Sequence, residues 1–313
     1  MTTTGTDTIL WLGDIRCGDP AVSGGKAARL SRLAVSQQVP PGFCLTASAL
    51  EREGHDASVL CADEQEITLS RPLRDDLACA YRHLGELCGQ TDPNVAVRSS
   101  AVEEDGAMSS FAGQFETYLN VHGIDAVAVA VVRCRRSAGG ARVQEYRRRR
   151  GLPPCVGRVA VLIQQLIAAD VSAVLFSANP ITGSREEVIV TATWGLGECL
   201  VGGAVTPDTY VVRKADLAVI SRQVAQKRRM TIAVPGGIEQ REVPRFLQHQ
   251  VTLDDDMLRA VVRLALTLEA DQGSPVDVEC ALRAGQIFLL QCRPVTGLPA
   301  PSSDRLGVSA PPR

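Results

Sequence analysis

Residues 97–121 read VRSSAVEEDGAMSSFAGQFETYLNV and place a single arginine, Arg98, directly after a short apolar run that is typical of a strand end. Small residues follow between Gly106 and Gly113. Small side chains let backbone N–H groups approach an anion closely, and arginine offers a forked set of donors that suits phosphate oxygens. The segment predicts a polyphosphate-binding loop. The same residues are compatible with a Ser/Gly surface loop beside a structural arginine.

A β-hairpin is predicted near the other end of the chain, where residues 275–295 read PVDVECALRAGQIFLLQCRPV with an Ala-Gly turn between two apolar-rich runs. Asp277 and Glu279 are two residues apart and therefore share one face of a strand, as Gln291 and Arg293 do on the next strand. Together these groups could hold Mg²⁺ through oxygen atoms and phosphate through the arginine. An edge hairpin with a solvated polar face gives the same pattern.

A glycine turn is predicted to open a helix near the start of the chain, where residues 24–34 read GGKAARLSRLA. Lys26 falls in the first turn of that helix, where its ammonium group can reach phosphates as a point charge. The spacing is not that of a Walker A loop, which requires G-x-x-x-x-G-K-[ST].

A buried strand is predicted at residues 161–167, which read VLIQQLI. A nucleobase could form hydrogen bonds with the backbone along such a strand. Buried glutamines that pair with nearby backbone groups are the commoner explanation for Gln164 and Gln165.

Length and composition indicate a soluble protein of two lobes, and the order of the predicted helices and strands indicates the α+β class. With 313 residues, 45% hydrophobic and 22% charged, the chain is long enough for two lobes with two cores. A net charge of −2 argues against a nucleic-acid partner. The ten cysteines include no C-x-x-C pair, which favours reduced thiols over disulfides or a zinc site. We expect no membrane span, no secretory signal and a cytoplasmic location.

The pattern of apolar residues and turn signals divides the chain into three parts. Residues 1–8 are a polar leader, residues 9–296 carry the helices and strands, and residues 297–313 form a Pro/Ser-rich tail that is predicted to be disordered. Helices are predicted at 24–36, 46–53, 72–90, 124–150 and 254–271. Strands are predicted at 94–98, 115–121, 157–166, 171–177, 187–193, 209–213, 276–282 and 286–292.

Six blocks of sequence, in order, carry a resemblance to a known family. They are GGKAARL (24–30), VPPGFCLTASA (39–49), AVRSSAVEED…FAGQFETYLNV (96–121), VLIQQLI…VSAVLFSANP (161–180), WGLGECLVGGAVTPDTYVV (194–212) and VDVECALRAGQIFLLQCRPVT (276–296). Together they resemble the nucleotide-binding domain of the phosphoenolpyruvate synthase, pyruvate phosphate dikinase and rifampin phosphotransferase family. The resemblance implies a two-lobed ATP-grasp fold of the α+β class, with ATP and Mg²⁺ bound between the lobes.

The resemblance also assigns roles to individual positions. Lys26, Arg98 and Arg293 match cations that contact the ATP phosphates and the transferred group. Glu279 and Gln291 match the magnesium ligands. Asp277 lies beside those ligands. Gly113 matches the phosphate-covering loop and Thr117 its exit. The strand that meets adenine is matched by Gln164, Gln165, Leu166 and Ile167.

The implied activity is that of a dikinase-type phosphotransferase subunit. In the family, the β-phosphoryl group of ATP passes to a histidine in a Thr-Ser-His setting on a swivelling domain, which leaves AMP and phosphate. None of the four histidines of this chain has that setting. The resemblance therefore implies a separate histidine-bearing swivelling protein, a substrate-binding subunit and a small-molecule acceptor. A stand-alone ATP-grasp kinase or ligase and a non-catalytic ATP-binding module are the alternatives.

Overall fold

The computed structural model describes residues 8–53, 69–102, 116–137, 140, 145, 148, 158–203, 205–295 and 297–298. The predicted polar leader lies outside these residues except for Thr8, and the predicted tail except for Gly297 and Leu298. Gly113, the small-residue segment around it and most of the chain between 138 and 157 also lie outside them. No helix in the described ranges is long and apolar enough to cross a membrane.

The first sheet contains five strands, β1 (Ile9–Trp11), β2 (Gly42–Leu45), β3 (Val95–Ala101), β4 (Thr117–Val121) and β5 (Val159–Gln165). They pair antiparallel in the order β1-β2-β5-β3-β4, so β4 is an edge strand. Its helices are α1 (Pro20–Leu33), α2 (Ala47–Arg52), α3 (Arg71–Cys88) and α4 (Ile124–Ser137). This sheet and these helices are lobe one.

The second sheet begins after a short linker with β6 (Val171–Phe176), β7 (Glu187–Trp194), β8 (Asp208–Arg213) and β9 (Val219–Gln223), and it is completed by β12 (Val276–Arg283) and β13 (Gln286–Pro294). The order is β13-β12-β6-β7-β8-β9, and every neighbouring pair is antiparallel. β10 (Arg229–Val234) and β11 (Gly237–Glu242) form a separate hairpin. With α5 (Glu198–Val201) and α6 (Asp255–Gln272), these elements are lobe two.

Two main apolar cores hold the molecule together. One core lies between the first sheet and the pair α3 and α4, and it includes Leu77, Leu84 and Val131. The other continues from α1 and the opposite face of the first sheet into the second sheet and α6. The two cores are therefore not one per lobe, because α1 contributes to a core that both lobes share.

The elements agree with the sequence prediction where the periodic pattern is long. α6 begins after Asp254, whose carboxylate accepts a hydrogen bond from the N–H of Met257 at 2.8 Å, and Asp255 and Asp256 occupy its first turn. All eight predicted strands are present, and the α+β class is confirmed. The prediction missed β1, β2, β9, β10, β11 and α5.

The start of α1 differs from the prediction for a local reason. The helix begins at Pro20 instead of Gly24, because Asp19 caps it by accepting from the N–H of Ala21 and proline is well suited to the first helical position. The predicted glycine turn is present as a kink inside the helix, where Gly24 has φ 75° and ψ 166°. The helical segment that carries Lys26 therefore starts after this kink.

Candidate nucleotide site

The β12–β13 hairpin brings the predicted polar residues into register. Its two-residue turn places Ala284 at φ 48° and Gly285 at φ 78°, as a tight turn with two left-handed residues requires. Asp277 lies opposite Arg293, and Glu279 lies opposite Gln291. The prediction that these four residues face one another across a hairpin is confirmed.

A β-bulge in the hairpin supplies a contact between the lobes. The pairing changes register between Glu279 and Cys280, which leaves Leu290 as the extra residue on β13. Nη1 of Arg98, on β3 of lobe one, donates a hydrogen bond to the carbonyl oxygen of Leu290 at 3.2 Å. The bulge thus fixes Arg98 against the strand that carries Gln291 and Arg293.

Asp277 and Arg293 form an ion pair at one side of the site. Nε and Nη2 of Arg293 each lie 2.7 Å from Oδ2 of Asp277, whose side chain is almost fully buried. Oδ1 of Asp277 is buried and has no hydrogen-bond partner in the described part of the chain. Burial raises the pKa of Asp277, and the attraction of Arg293 opposes that shift. One carboxylate oxygen therefore orients Arg293, and the other remains available to a cation.

Glu279 and Arg98 form the centre of the charged cluster. Burial is the main effect on Glu279 and raises its pKa. The attraction of Arg98 lowers this pKa, and the repulsion of Asp277 raises it. Arg293 and Lys26 lower it by smaller amounts. Burial likewise lowers the pKa of Arg98, and Glu279 opposes that shift. Nε of Arg98 is buried without a hydrogen-bond partner among the described residues. The cluster combines cations and carboxylates that are incompletely solvated, as a site for a charged ligand would.

Lys26 reaches the same cluster because α1 lies very close to β3. A Cβ on Gly24 would lie only 2.0 Å from the carbonyl oxygen of Ser100, so this approach requires glycine. The Ser100 hydroxyl accepts a hydrogen bond from the N–H of Ala27 at 3.1 Å, which caps the helical segment after the kink. Nζ of Lys26 donates to the carbonyl oxygen of Ser99 at 3.4 Å.

The exit of the predicted phosphate loop is attached to the same strand. Thr117 lies opposite Arg98 in the β3–β4 pair and is exposed. The Ser99 hydroxyl donates to the carbonyl oxygen of Glu116 at 2.9 Å. The structure therefore brings Thr117 beside Arg98, whereas Gly113 lies outside the described residues.

The strand predicted to meet adenine leads into the linker between the lobes. The Gln164 side chain is buried and donates from Nε2 to the carbonyl oxygen of Pro40 at 3.1 Å, which agrees with a structural role. The N–H groups of Gln165 and Leu166 donate to Pro41 and Asn94. The described residues provide no hydrogen bond to the Leu166 carbonyl or to the N–H groups of Ile167 and Ala168.

The oxygen atoms of the hairpin fit a magnesium ion that is shared with phosphates. The described residues contain no group of three or more His, Cys, Asp or Glu side chains able to hold a metal without other ligands. Magnesium is usually bound by one or two carboxylates together with substrate phosphates and water. The Glu279 carboxylate, the opposing Gln291 amide and the unpartnered Oδ1 of Asp277 form such a donor set.

Sequence reasoning missed three groups that organise the site. The Leu290 carbonyl accepts a hydrogen bond from Arg98 at a bulge that no sequence pattern indicates. Ser99 and Ser100 directly follow Arg98, and their small hydroxyl side chains beside a predicted strand end were the available signal. Both serines are fully buried and tie Lys26, Arg98 and the loop exit to one strand.

Comparison with known proteins identifies the family. The family described as "Pyruvate phosphate dikinase, AMP/ATP-binding domain" matches residues 64–306. The chain therefore belongs to this family of AMP/ATP-binding domains, and the resemblance found in the sequence is confirmed.

Curated relatives show the same similarity over nearly the whole chain. A probable phosphoenolpyruvate synthase of Methanocaldococcus jannaschii is 33% identical over 93% of this chain and 27% of its own length. The phosphoenolpyruvate synthase of Pyrococcus furiosus is 31% identical over 93% of this chain and 44% of its own length. A rifampicin phosphotransferase of Streptomyces sp is 36% identical over 95% of this chain and 37% of its own length. The chain thus spans less than half the length of each of these relatives.

Similarity to solved structures is weaker. D-alanyl-alanine synthetase A from Vibrio cholerae matches with a TM-score of 0.34 and 12% identity, over 85% of this chain and 54% of that chain. This similarity is too low to define the fold by itself. The two-lobed α+β architecture and the family together are consistent with the ATP-grasp fold.

Proposed function

We propose that this chain binds Mg·ATP between its two lobes and is the ATP-binding part of a dikinase-type phosphotransferase. The observation that carries the proposal is the convergence of Arg98 from lobe one with Glu279, Asp277 and Arg293 from lobe two. Membership of an AMP/ATP-binding domain family supports the choice of nucleotide. Lys26, from the kinked helix α1, adds a further cation to this cluster.

The chemistry of such a site consists of positioning and charge stabilisation. Negative charge spreads over the phosphoryl oxygens during transfer, and fixed cations stabilise that charge without a protein nucleophile. The unpartnered Nε of Arg98 offers a donor that is already desolvated. Arg293 is held by Asp277, so its guanidinium loses little freedom when it contacts a phosphate. Glu279, Gln291 and Asp277 would hold the Mg²⁺, which neutralises phosphate charge when it is bound.

The adenine base is assigned to the linker between β5 and β6. The Leu166 carbonyl is suited to accept from the 6-amino group, and a nearby linker N–H is suited to donate to a ring nitrogen. These backbone groups have no hydrogen bonds in the described chain. Gln164 contributes through its place in the strand, since its side-chain amide is engaged by Pro40.

The acceptor is proposed to be a histidine on a separate swivelling protein or domain. ATP, histidine and water would give phosphohistidine, AMP and inorganic phosphate, and the phosphoryl group would then pass to a small molecule held by a substrate-binding subunit. The relatives named phosphoenolpyruvate synthase and rifampicin phosphotransferase extend well beyond the matched region, which leaves room for such parts.

Product analysis tests the proposal. Purified protein is incubated with Mg·ATP, alone and with a purified histidine-bearing swivelling protein or domain of the same family. We expect AMP, phosphate and an acid-labile phosphohistidine on the partner only when both proteins are present. Release of ADP or AMP that requires only a small metabolite would establish a stand-alone kinase or ligase instead. Tight ATP binding without product under every condition would indicate a binding module.

Replacing Arg98 with alanine is expected to reduce the phosphoryl-transfer rate by about 10²–10³-fold. The reason is that Arg98 contacts phosphates and not the base. Adenosine affinity, measured by calorimetry, should therefore change far less than ATP turnover. Arg213→Ala is a suitable control, because Arg213 is an exposed arginine on β8 that pairs with Asp216 at 2.8 Å. A larger effect on adenosine binding than on the rate would mean that Arg98 is structural.

A further inference from the structure

The β10–β11 hairpin is anchored on lobe two through β10 and the residues just before it. The N–H of Leu196 donates to the carbonyl oxygen of Thr231 at 2.8 Å, and Gly195 forms a parallel bridge with Thr231. Just before β10, Nζ of Lys227 lies 2.6 Å from Oδ1 of Asp208, and both side chains are fully buried. This end of the hairpin is therefore fixed to lobe two beside the segment that follows β7.

The other end of the hairpin contacts lobe one. Nδ2 of Asn120, on the edge strand β4, donates to the carbonyl oxygen of Val234 at 2.7 Å and also to that of Gly237. These two carbonyls flank the Pro235–Gly236 turn, since Val234 pairs with Gly237 across it. Asn120 is 3% exposed and has φ 57°, a left-handed conformation that asparagine tolerates better than most residues. The Asn120 side chain thus connects the hairpin tip to lobe one through two hydrogen bonds.

This contact lies away from the hydrogen bonds that join lobe one to β13. Arg98 meets Leu290, and the N–H of Leu289 donates to the carbonyl oxygen of Gln38 at 2.9 Å, both at β13. Asn120 instead contacts lobe two from the edge of the first sheet, three residues after Thr117. The hairpin therefore connects the strand at the exit of the predicted phosphate loop to the segment around Gly195.

The contact is suited to break and reform. Two neutral hydrogen bonds favour it, but Oδ1 of Asn120 is buried without a partner among the described residues. A buried amide oxygen without a partner costs free energy that offsets much of the gain from ordinary hydrogen bonds. The contact therefore rests on the two hydrogen bonds of Nδ2, which a single substitution removes.

We propose that Asn120 is a positioning residue that sets how closely the edge strand β4 approaches the β10–β11 hairpin of lobe two beside the bound nucleotide. The inference rests on the proposed function and adds to it a determinant of nucleotide release. With the Asn120 contact made, the strand at the loop exit is held toward lobe two. Loss of the contact lets β4 and the hairpin tip part, and the nucleotide leaves faster.

The test is stopped-flow measurement of mant-ATP release in the presence of Mg²⁺. Asn120→Asp keeps the shape of the side chain but removes the donor and places a carboxylate against two carbonyl oxygens. We expect mant-ATP to dissociate about five- to tenfold faster from this variant than from the wild type. The control is Asn179→Asp. Asn179 is also buried, and its Nδ2 donates to Oε2 of Glu187 at 2.8 Å entirely within lobe two. We expect release from the control to be unchanged.

A cross-linked variant keeps the inference testable if Asn120→Asp does not fold. The double variant Asn120→Cys with Gly236→Cys should release mant-ATP more slowly than the wild type when the cysteine pair is oxidised. When the pair is reduced, release should be faster than from the wild type, because the donor of Asn120 is gone. If the wild type binds mant-ATP and Asn120→Asp releases it at the same rate as the wild type, the role of Asn120 is overturned and the proposed function is not. Failure of the wild type to bind mant-ATP would overturn the proposed function.

Discussion

Replacing Gly24 with alanine should lower the free energy of unfolding by roughly 3–4 kcal/mol and abolish measurable ATP binding. Gly24 has φ 75° and ψ 166°, a backbone conformation that is essentially restricted to glycine. A Cβ at this position would also lie 2.0 Å from the Ser100 carbonyl oxygen and 2.4 Å from the Ser100 hydroxyl. Relief of that clash must move α1 away from β3, and Lys26 with it. Thermal unfolding and calorimetry with ATP measure the two effects.

A second glycine separates the clash from the backbone strain. Gly89, which ends α3, has φ 65°, and a Cβ there would meet no atom within 4 Å. Gly89→Ala should therefore cost only about 1 kcal/mol, which is the strain of a left-handed conformation alone. If the two substitutions lowered the melting temperature equally, the close approach of α1 to β3 would not matter for stability.

The parts of the site that the sequence predicts are those with local causes. A strand alternates its faces, so the spacing of Asp277 and Glu279 is sufficient to place them on one side of β12. The Ala284–Gly285 turn fixes the register of the hairpin and therefore brings Gln291 and Arg293 opposite them. No information from distant elements is needed for this half of the site.

The contacts between lobes could not be predicted in the same way. Arg98 meets the Leu290 carbonyl because a bulge adds one residue to β13, and the bulge has no signature in the sequence. The capping of Ala27 by Ser100 depends on how closely α1 approaches a strand more than 70 residues away. Such contacts depend on tertiary packing, which periodicity and turn signals do not specify.

The missed strands are short or polar. β1 spans three residues and β2 four, too few for an alternating pattern to be recognised. β10 and β11 form a two-stranded sheet outside both main sheets, and the polar sequence GIEQRE of β11 lacks an apolar face. The hairpin is held instead by backbone contacts to Gly195 and by Asn120, which sequence periodicity does not report.

The charged cluster opposes the stability of the protein when no ligand is bound. Burial disfavours the ionised forms of Glu279 and Arg98, and Oδ1 of Asp277 lacks a hydrogen bond within the described chain. Groups arranged in this way are stabilised when a ligand supplies the missing partners, and stability is commonly lower at such functional sites. The unfavourable free energy of burying these charged groups without partners therefore supports a charged ligand at this site.

Replacing Glu279 with glutamine should reduce Mg·ATP turnover at least about a hundredfold while increasing the stability of the ligand-free protein. Glutamine keeps the size of the side chain but removes the negative charge that would attract the metal. Turnover is measured by AMP release with the histidine-domain partner present, and stability by chemical unfolding. Glu86→Gln, at an exposed position in α3, should change neither quantity. Turnover of Glu279→Gln at the wild-type rate would mean that Glu279 does not bind the metal.

The pH dependence of stability gives this prediction a second readout. Since burial raises the folded-state pKa of Glu279, the folded protein binds the proton more tightly than the unfolded chain. The contribution of Glu279 to the free energy of unfolding is therefore fully present below the ordinary glutamate pKa and is lost as the pH rises through the raised value. Between the ordinary and the raised pKa, the free energy of unfolding of Glu279→Gln should therefore fall less than that of the wild type. Some loss should persist, because the pKa of Asp277 is also raised by burial. Identical pH profiles for the wild type and the variant would mean that Glu279 is not desolvated, and the stability gain would then be absent as well.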